Sequence, residues 1–197
     1  MEQKVEKQAS LESVPVKRLK RELKYQGTIL KMYEDTVEVN GHQAKWDFIH
    51  HDGAAAVLPV TEDGKILMVR QYRNALERET LEIPAGCRDS KTEDTAYCAA
   101  REMEEETGYR STNVKHLLSL RTTVAFCDEA VDIFVATDLE VGTRHLDEAE
   151  SIDVEIYTLE ELCDMIYEGK IQDGKTIAAI MAYAAAKKGG MGKHLDL

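Results

Sequence analysis

Residues 101–109 read Arg-Glu-Met-Glu-Glu-Glu-Thr-Gly-Tyr, and this run constrains the chain more than any other. Side chains three and four apart on a helix share a face. Glu102, Glu105 and Glu106 therefore fall within one arc of about 100° on a helix of 3.6 residues per turn. Like charges at that spacing repel, unless they form a solvated acidic face or hold a cation. A hard divalent cation that prefers oxygen ligands, Mg²⁺ (or Mn²⁺), reverses the sign of the cost. Glu102 and Glu106, one turn apart, are the first candidates for metal ligands, with Glu105 as a further ligand or bridging group that takes part in catalysis. Ala96, Ala99, Ala100 and Met103 supply the apolar stripe, and Gly108 the C-terminal stop. Thr92 is the expected N-cap, with Glu93 and Asp94 at the positive end of the helix dipole.

The formal charge of −12 argues against nucleic acid or an anionic membrane surface as a partner. An acidic protein that handles phosphates needs metal ions to screen them. Cys87, Cys98, Cys127 and Cys163 lack C-x-x-C spacing, which fits a reducing compartment and a cytoplasmic location. No apolar run approaches the length of a membrane span.

Three zones are expected along the chain. Residues 1–22 read as a polar N-terminal arm, frayed or weakly helical to about residue 20. Residues 23–50 read as a small antiparallel β element, with strands over 25–33 and 35–39 and a hairpin at Asn40-Gly41. Its Tyr25, Ile29, Leu30, Met32 and Tyr33 are more apolar surface than one solvated hairpin should expose, which predicts a homodimer through this element. Residues 51–197 read as the main domain. Strands are expected at 54–60, 65–71, 115–120, 131–137 and 154–157. A capping box at Thr158-Leu159-Glu160-Glu161 opens a helix that Gly169 ends, and a last helix runs from about Gly174 to Lys188. Interleaved strands and helices predict an α/β fold: an α/β/α sandwich around a mixed sheet.

Glu93, Arg101, Glu102, Met103, Glu105, Glu106, Gly108 and Tyr109, with Gly86 upstream, resemble the box that defines the Nudix hydrolases. One departure is that six residues rather than five separate Gly86 from Glu93, the extra one falling in the polar run 88–92. Arg70-Gln71-Tyr72-Arg73, Leu81-Glu82-Ile83-Pro84-Ala85-Gly86, Ala125-Phe126-Cys127-Asp128-Glu129 and Gly169-Lys170-Ile171 follow the order of the ADP-ribose pyrophosphatase branch. Two further departures touch substrate choice. Val124-Ala125 replaces the usual proline before the Phe126 loop, and Trp46 stands where relatives tend to carry an arginine.

The resemblance implies hydrolysis of the diphosphate of a nucleoside diphosphate sugar. ADP-ribose, giving AMP and ribose 5-phosphate, is the leading substrate, and a GDP-mannose-type nucleotide sugar is the alternative. A non-catalytic ligand-sensing domain is a third reading, and the intact carboxylate run speaks against it. The resemblance also implies that the Ala85 carbonyl and Glu150 join Glu102 and Glu106 at the metal, with Glu148 as general base. Glu93 and Arg101 form an ion pair that orients the ligands. On the substrate side it implies Arg73 at a phosphate, Glu82 at the site, Phe126 on the sugar or base, and Trp46 stacked on a base or at a dimer contact.

Overall fold

The computed structural model describes residues 15–146, 148 and 150–189. Alternation along one strand explains the layers of the larger unit. In β4 (Ala54–Pro59), Ala55 and Val57 face one way and Ala56 and Leu58 the other, and all four are fully buried. A strand buried on both faces needs a helical layer on each side. Ala55 and Val57 pack with Cys98, Ala99 and Met103 of α1 (Thr95–Thr107). Ala56 and Leu58 pack with Leu162 of α2 (Leu159–Tyr167) and with Ala179, Ile180 and Tyr183 of α3 (Gly174–Lys187). The arrangement is the expected α/β/α sandwich.

The central sheet is mixed. β4 pairs in parallel with β10 (Ala130–Thr137) and antiparallel with β7 (Ala85–Cys87), and β10 pairs antiparallel with β9 (Asn113–Arg121). A second, antiparallel sheet has the order β12 (Ile152–Tyr157), β5 (Ile66–Arg73), β6 (Arg78–Glu82). Two short strands, β8 (Tyr109–Arg110) and β11 (Glu140–Val141), pair just beyond α1. The capping box at Thr158 forms both of its bonds with Glu161. Among the described residues no helix is long and apolar enough to cross a membrane, and the four cysteines are free.

The chain divides into two units at His50/His51. The first is a three-stranded sheet of β1 (Lys17–Gln26), β2 (Leu30–Val39) and β3 (His42–His51). Here the structure corrects the sequence reading twice. Residues from Lys17 form a strand, not a frayed arm; residues 1–14 lie outside the described residues. Charges that read as solvated find partners across the ladder: Arg21 forks onto Asp35, at 2.7 Å from Nε, and Lys24 meets Glu34 at 3.3 Å. The expected strand over 25–33 is also broken, because the Gly27 N–H bonds the Leu30 carbonyl and turns the chain there. The Asn40-Gly41 hairpin forms as expected, with φ of 52° and 75°. The interior of this sheet is an ion pair under aromatic rings, with the Arg21 guanidinium 3.8 Å from the Phe48 ring centre. Its apolar side chains Val16, Leu19, Leu23, Tyr25, Ile29 and Trp46 stay exposed.

Candidate active site

α1 begins two residues later than its sequence suggests. Ser90 and Thr92 close the preceding turn, and Asp94 is the N-cap, accepting from Ala96 and Tyr97 N–H at 3.0 Å each. A cap of this kind contributes about 1 kcal/mol. Glu93 is thereby freed from the helix: it accepts from the Asp89 N–H at 2.7 Å and from Arg101 Nε at 3.3 Å. Gly108, in the left-handed region at φ 76°, ends the helix.

The helix presents Glu102 and Glu106 to the strand before it. The Glu102 carboxylate lies over Gly86 so closely that a Cβ there would stand 2.1 Å from it. Glu106 is 4% exposed and accepts from the Ala85 N–H at 3.2 Å. N–H and C=O of one residue point to the same side of an antiparallel strand, so the Ala85 carbonyl emerges on the helix side of β7. Burial pushes the Glu102 carboxyl up to about 7, and burial with Glu102 beside it pushes Glu106 up to about 8. Glu150, across the site, raises both further. Glu105 diverges from this pair: with its side chain 38% exposed, it leans on Arg101 Nη1 at 2.8 Å. Arg101 Nη1 also meets Glu102 at 2.8 Å, so one guanidinium holds Glu93, Glu102 and Glu105.

A second cluster supports the segment that leads into Ala85. Glu82, 3% exposed, receives both arms of Arg73, Nε and Nη2 each at 2.7 Å, and also Lys175 Nζ and the Thr80 hydroxyl. Burial alone would raise this carboxyl, but these donors hold it down at about 2. Thr176 accepts from the Ile83 N–H at 3.0 Å, and Asp173 caps α3 and takes Lys175 at 2.9 Å. Arg73 and Glu82, both expected at the substrate, thus face each other first. The Arg73 side chain keeps 40% exposure, whereas the Glu82 side chain, 3% exposed, is taken up by Arg73, Lys175 and Thr80.

A family model described as the NUDIX domain matches residues 49–180. The chain belongs to the Nudix family. It is 39% identical over 173 residues to an ADP-ribose pyrophosphatase of Bacillus subtilis, covering 86% of this chain and 93% of that protein. It is 40% identical over 167 residues to a methanol dehydrogenase activator of Bacillus methanolicus, covering 83% and 90%. GDP-mannose pyrophosphatases align at lower identity, 30% over 135 residues for that of an Enterobacter species, covering 64% and 70%. A solved structure described as an ADP compounds hydrolase superposes with a TM-score of 0.78 at 19% identity, over 89% of this chain and 97% of that one, and shows the same fold.

In this Nudix chain the extra residue between Gly86 and Glu93 is taken up in the turn 88–92, where Arg88 bonds the Lys91 and Glu93 carbonyls. Gly86 keeps its place under Glu102. Glu102 and Glu106 offer carboxylate oxygens, and the Arg101 charge beside Glu102 is shared with Glu93 and Glu105, so that both acids stay above the usual carboxylate range. That chemistry fits a hard divalent cation. Among the described residues no three acid, His or Cys side chains yet converge at ligand spacing; Glu102 and Glu105 share Arg101 instead. Glu148 is exposed in a turn two residues before Glu150, Phe126 is 47% exposed beyond the Thr123 turn, and Trp46 lies on β3 of the first unit.

Lys175 and Arg144 escaped the sequence reading. Lys175 had a local signal, since a cation in the first turn of a helix opposes the dipole and needs a specific anion. Arg144 had none, because its partners are the main-chain carbonyls of Glu106 and Ile152, which no residue type marks in the sequence.

Proposed function

We propose that the chain hydrolyses the diphosphate linkage of a nucleoside diphosphate sugar, with ADP-ribose yielding AMP and ribose 5-phosphate. The observation that carries this reading is half-buried Glu102 beside buried Glu106, the two set against Gly86 and Ala85. Glu102, Glu106, Glu150 and the Ala85 carbonyl would hold Mg²⁺ or Mn²⁺, which when bound screens the diphosphate and stabilises charge on its oxygens. Glu148 takes the proton of the attacking water, whose oxygen bonds to phosphorus as the bridging P–O bond breaks. Glu105, through Arg101, holds Glu102 in line. Arg73, fixed by Glu82, turns its remaining donors to a phosphate oxygen. Phe126 packs on the sugar or base.

ADP-ribose leads because relatives named for it align over most of both chains, whereas those named for GDP-mannose align less fully and at lower identity. The B. methanolicus relative is named as an activator of another enzyme and gives no substrate. We also place the protein in the cytoplasm and infer a homodimer formed through the first unit. The exposed apolar side chains of its sheet support that assembly. In it, residues 25–50 of one chain line the site of the other, with Trp46 near the nucleotide.

A panel of nucleoside diphosphate compounds assayed with Mg²⁺ and with Mn²⁺, with products identified, tests the substrate. AMP and ribose 5-phosphate from ADP-ribose, at the highest kcat/KM of the panel, is the expected result. A preference for GDP-mannose would favour the alternative, and no turnover of any member would refute the reading.

A further inference from the structure

The last turn of a helix leaves carbonyls without intrahelical partners. In α1 these carbonyls belong to the turn that carries Glu105 and Glu106, and a strap from residues 142–145 meets them. The Gly142 N–H bonds the Gly108 carbonyl at 2.8 Å, and the His145 N–H bonds the Glu105 carbonyl at 3.0 Å. The Thr143 N–H reaches Glu104 Oε1 at 3.2 Å. Gly142 lets the strap lie this close to Glu104, since a Cβ there would stand 2.5 Å from Glu104 Oε1 and push that side chain aside.

Arg144 does more than follow the strap. Its Nε donates to the Glu106 carbonyl at 2.7 Å, and its Nη2 donates to the Ile152 carbonyl at the start of β12. One guanidinium thus ties together three places: the residue that bears the buried Glu106 carboxylate, and the two ends of the loop 144–152. That loop carries Glu148 and Glu150. A cation at a helix C-terminus is also favoured by the dipole. A planar fork can span two carbonyls in fixed directions, and an ammonium cannot.

We propose that Arg144 is the positioning residue that sets the acidic loop against α1, so that Glu150 faces Glu102 and Glu106. The proposal rests on the reading of those three carboxylates as one metal-holding set. Arg144 itself touches neither substrate nor metal. It fixes the distance between the ligand on the loop and the ligands on the helix.

The test compares R144M, R144K and the surface control R110M, which loses only an exposed pair with Glu140. Hydrolysis is followed against Mg²⁺, and amide exchange of the peptide 144–153 is measured in the metal-free protein. Supporting groups behind metal ligands are worth ~10–100-fold, so R144M is expected to raise half-saturating Mg²⁺ and lower kcat by about 10-fold or more. KM for substrate should change by less than ~2-fold, because uniform substrate binding is untouched. R144K should recover part of the loss, and R110M should match the parent. In an E150Q background R144M should add little to the Mg²⁺ requirement, as expected for groups that act through one another. Exchange in the peptide should rise in R144M and stay at the parent level in E150Q. An unchanged Mg²⁺ curve with unchanged exchange would overturn the proposal, as would a full R144M effect on top of E150Q. If E150Q leaves the Mg²⁺ curve unmoved, the metal-set reading fails, and the exchange measurement alone decides whether Arg144 holds the loop.

Discussion

The Glu102 carboxylate occupies the space that a side chain at Gly86 would fill, 2.1 Å from its would-be Cβ. Replacement by alanine must push the Glu102 carboxylate off this position, since α1 itself is held by the packing of Cys98, Ala99 and Met103. A displacement near 1 Å at a reacting centre costs on the order of 100-fold in rate. G86A is therefore expected to lose about that much kcat while still melting cooperatively. Steady-state kinetics alongside a thermal melt checks this, and parent-like kcat would show that Glu102 need not sit there.

The metal-free protein should lose stability as pH rises. Glu102 and Glu106 have folded pKa values raised to about 7 and about 8 by burial. A carboxyl raised on folding stabilises the fold below its unfolded value, and that contribution disappears as pH rises through the folded value. Tm of the chelated protein is thus expected to fall between pH 5 and pH 8.5, and Mg²⁺ should restore most of the loss at the alkaline end. Glu82, held at about 2, works the other way: its contribution is present above the usual Glu range and fades as pH falls toward 2. E106Q should flatten the alkaline fall. A chelated protein whose Tm rises steadily from pH 5 to 8.5 would contradict the assigned burial of the pair.

Lys175→Met leaves buried Glu82 with Arg73 and Thr80 as its remaining partners. Removing one partner of a buried ion pair typically costs about 3–5 kcal/mol, and the two cations here share one anion, so the lower end is expected. The loss should be visible as a lower denaturant midpoint. Glu82→Gln should cost much of the same, and the double variant should fall short of the sum, because the residues are in contact. Additive effects would mean that Lys175 stabilises through something other than Glu82.

The helix, its carboxylate face and the positions of β4, β5, β9, β10 and β12 were legible because period and local chemistry carry them, whereas the short strands β6, β7, β8 and β11 were not. Val57 and Leu58 read as buried strand from their neighbours alone, and Thr158 with Glu161 wrote its own cap. Thr92 misled because two hydroxyl residues and an aspartate competed for one N-cap, and Ser90 took Thr92 into the turn. Lys17 to Glu22 read as a tail because the partners of this stretch, Asp35 among them, lie across a ladder that no local pattern shows. The Arg73–Glu82 fork was hidden for a similar reason. Each residue alone looks like a group for substrate, and only the hairpin between β5 and β6 turns them toward one another.

The first unit should make the protein a dimer. Its exposed Leu23, Tyr25, Ile29 and Trp46 are more apolar surface than a solvated sheet should show. Sedimentation at micromolar concentration is expected to give twice the chain mass, and a chain shortened to begin at His51 should be inactive or insoluble. Quenching of the single Trp46 by bound nucleotide would place it at the site. An active monomer would remove the dimer and the role of Trp46 together.

The most direct test of the metal-centred hydrolysis is AMP release from ADP-ribose by E102Q and E106Q, measured across a Mg²⁺ titration beside the parent protein. Both substitutions keep size and helix propensity and remove one anionic oxygen ligand. Kcat is expected to fall by at least ~100-fold in each, with the fold intact, since charge stabilisation carries most of such a reaction. Turnover near the parent level in either variant, or parent activity that survives full chelation, would contradict the assignment of Glu102 and Glu106 as the groups that hold the metal.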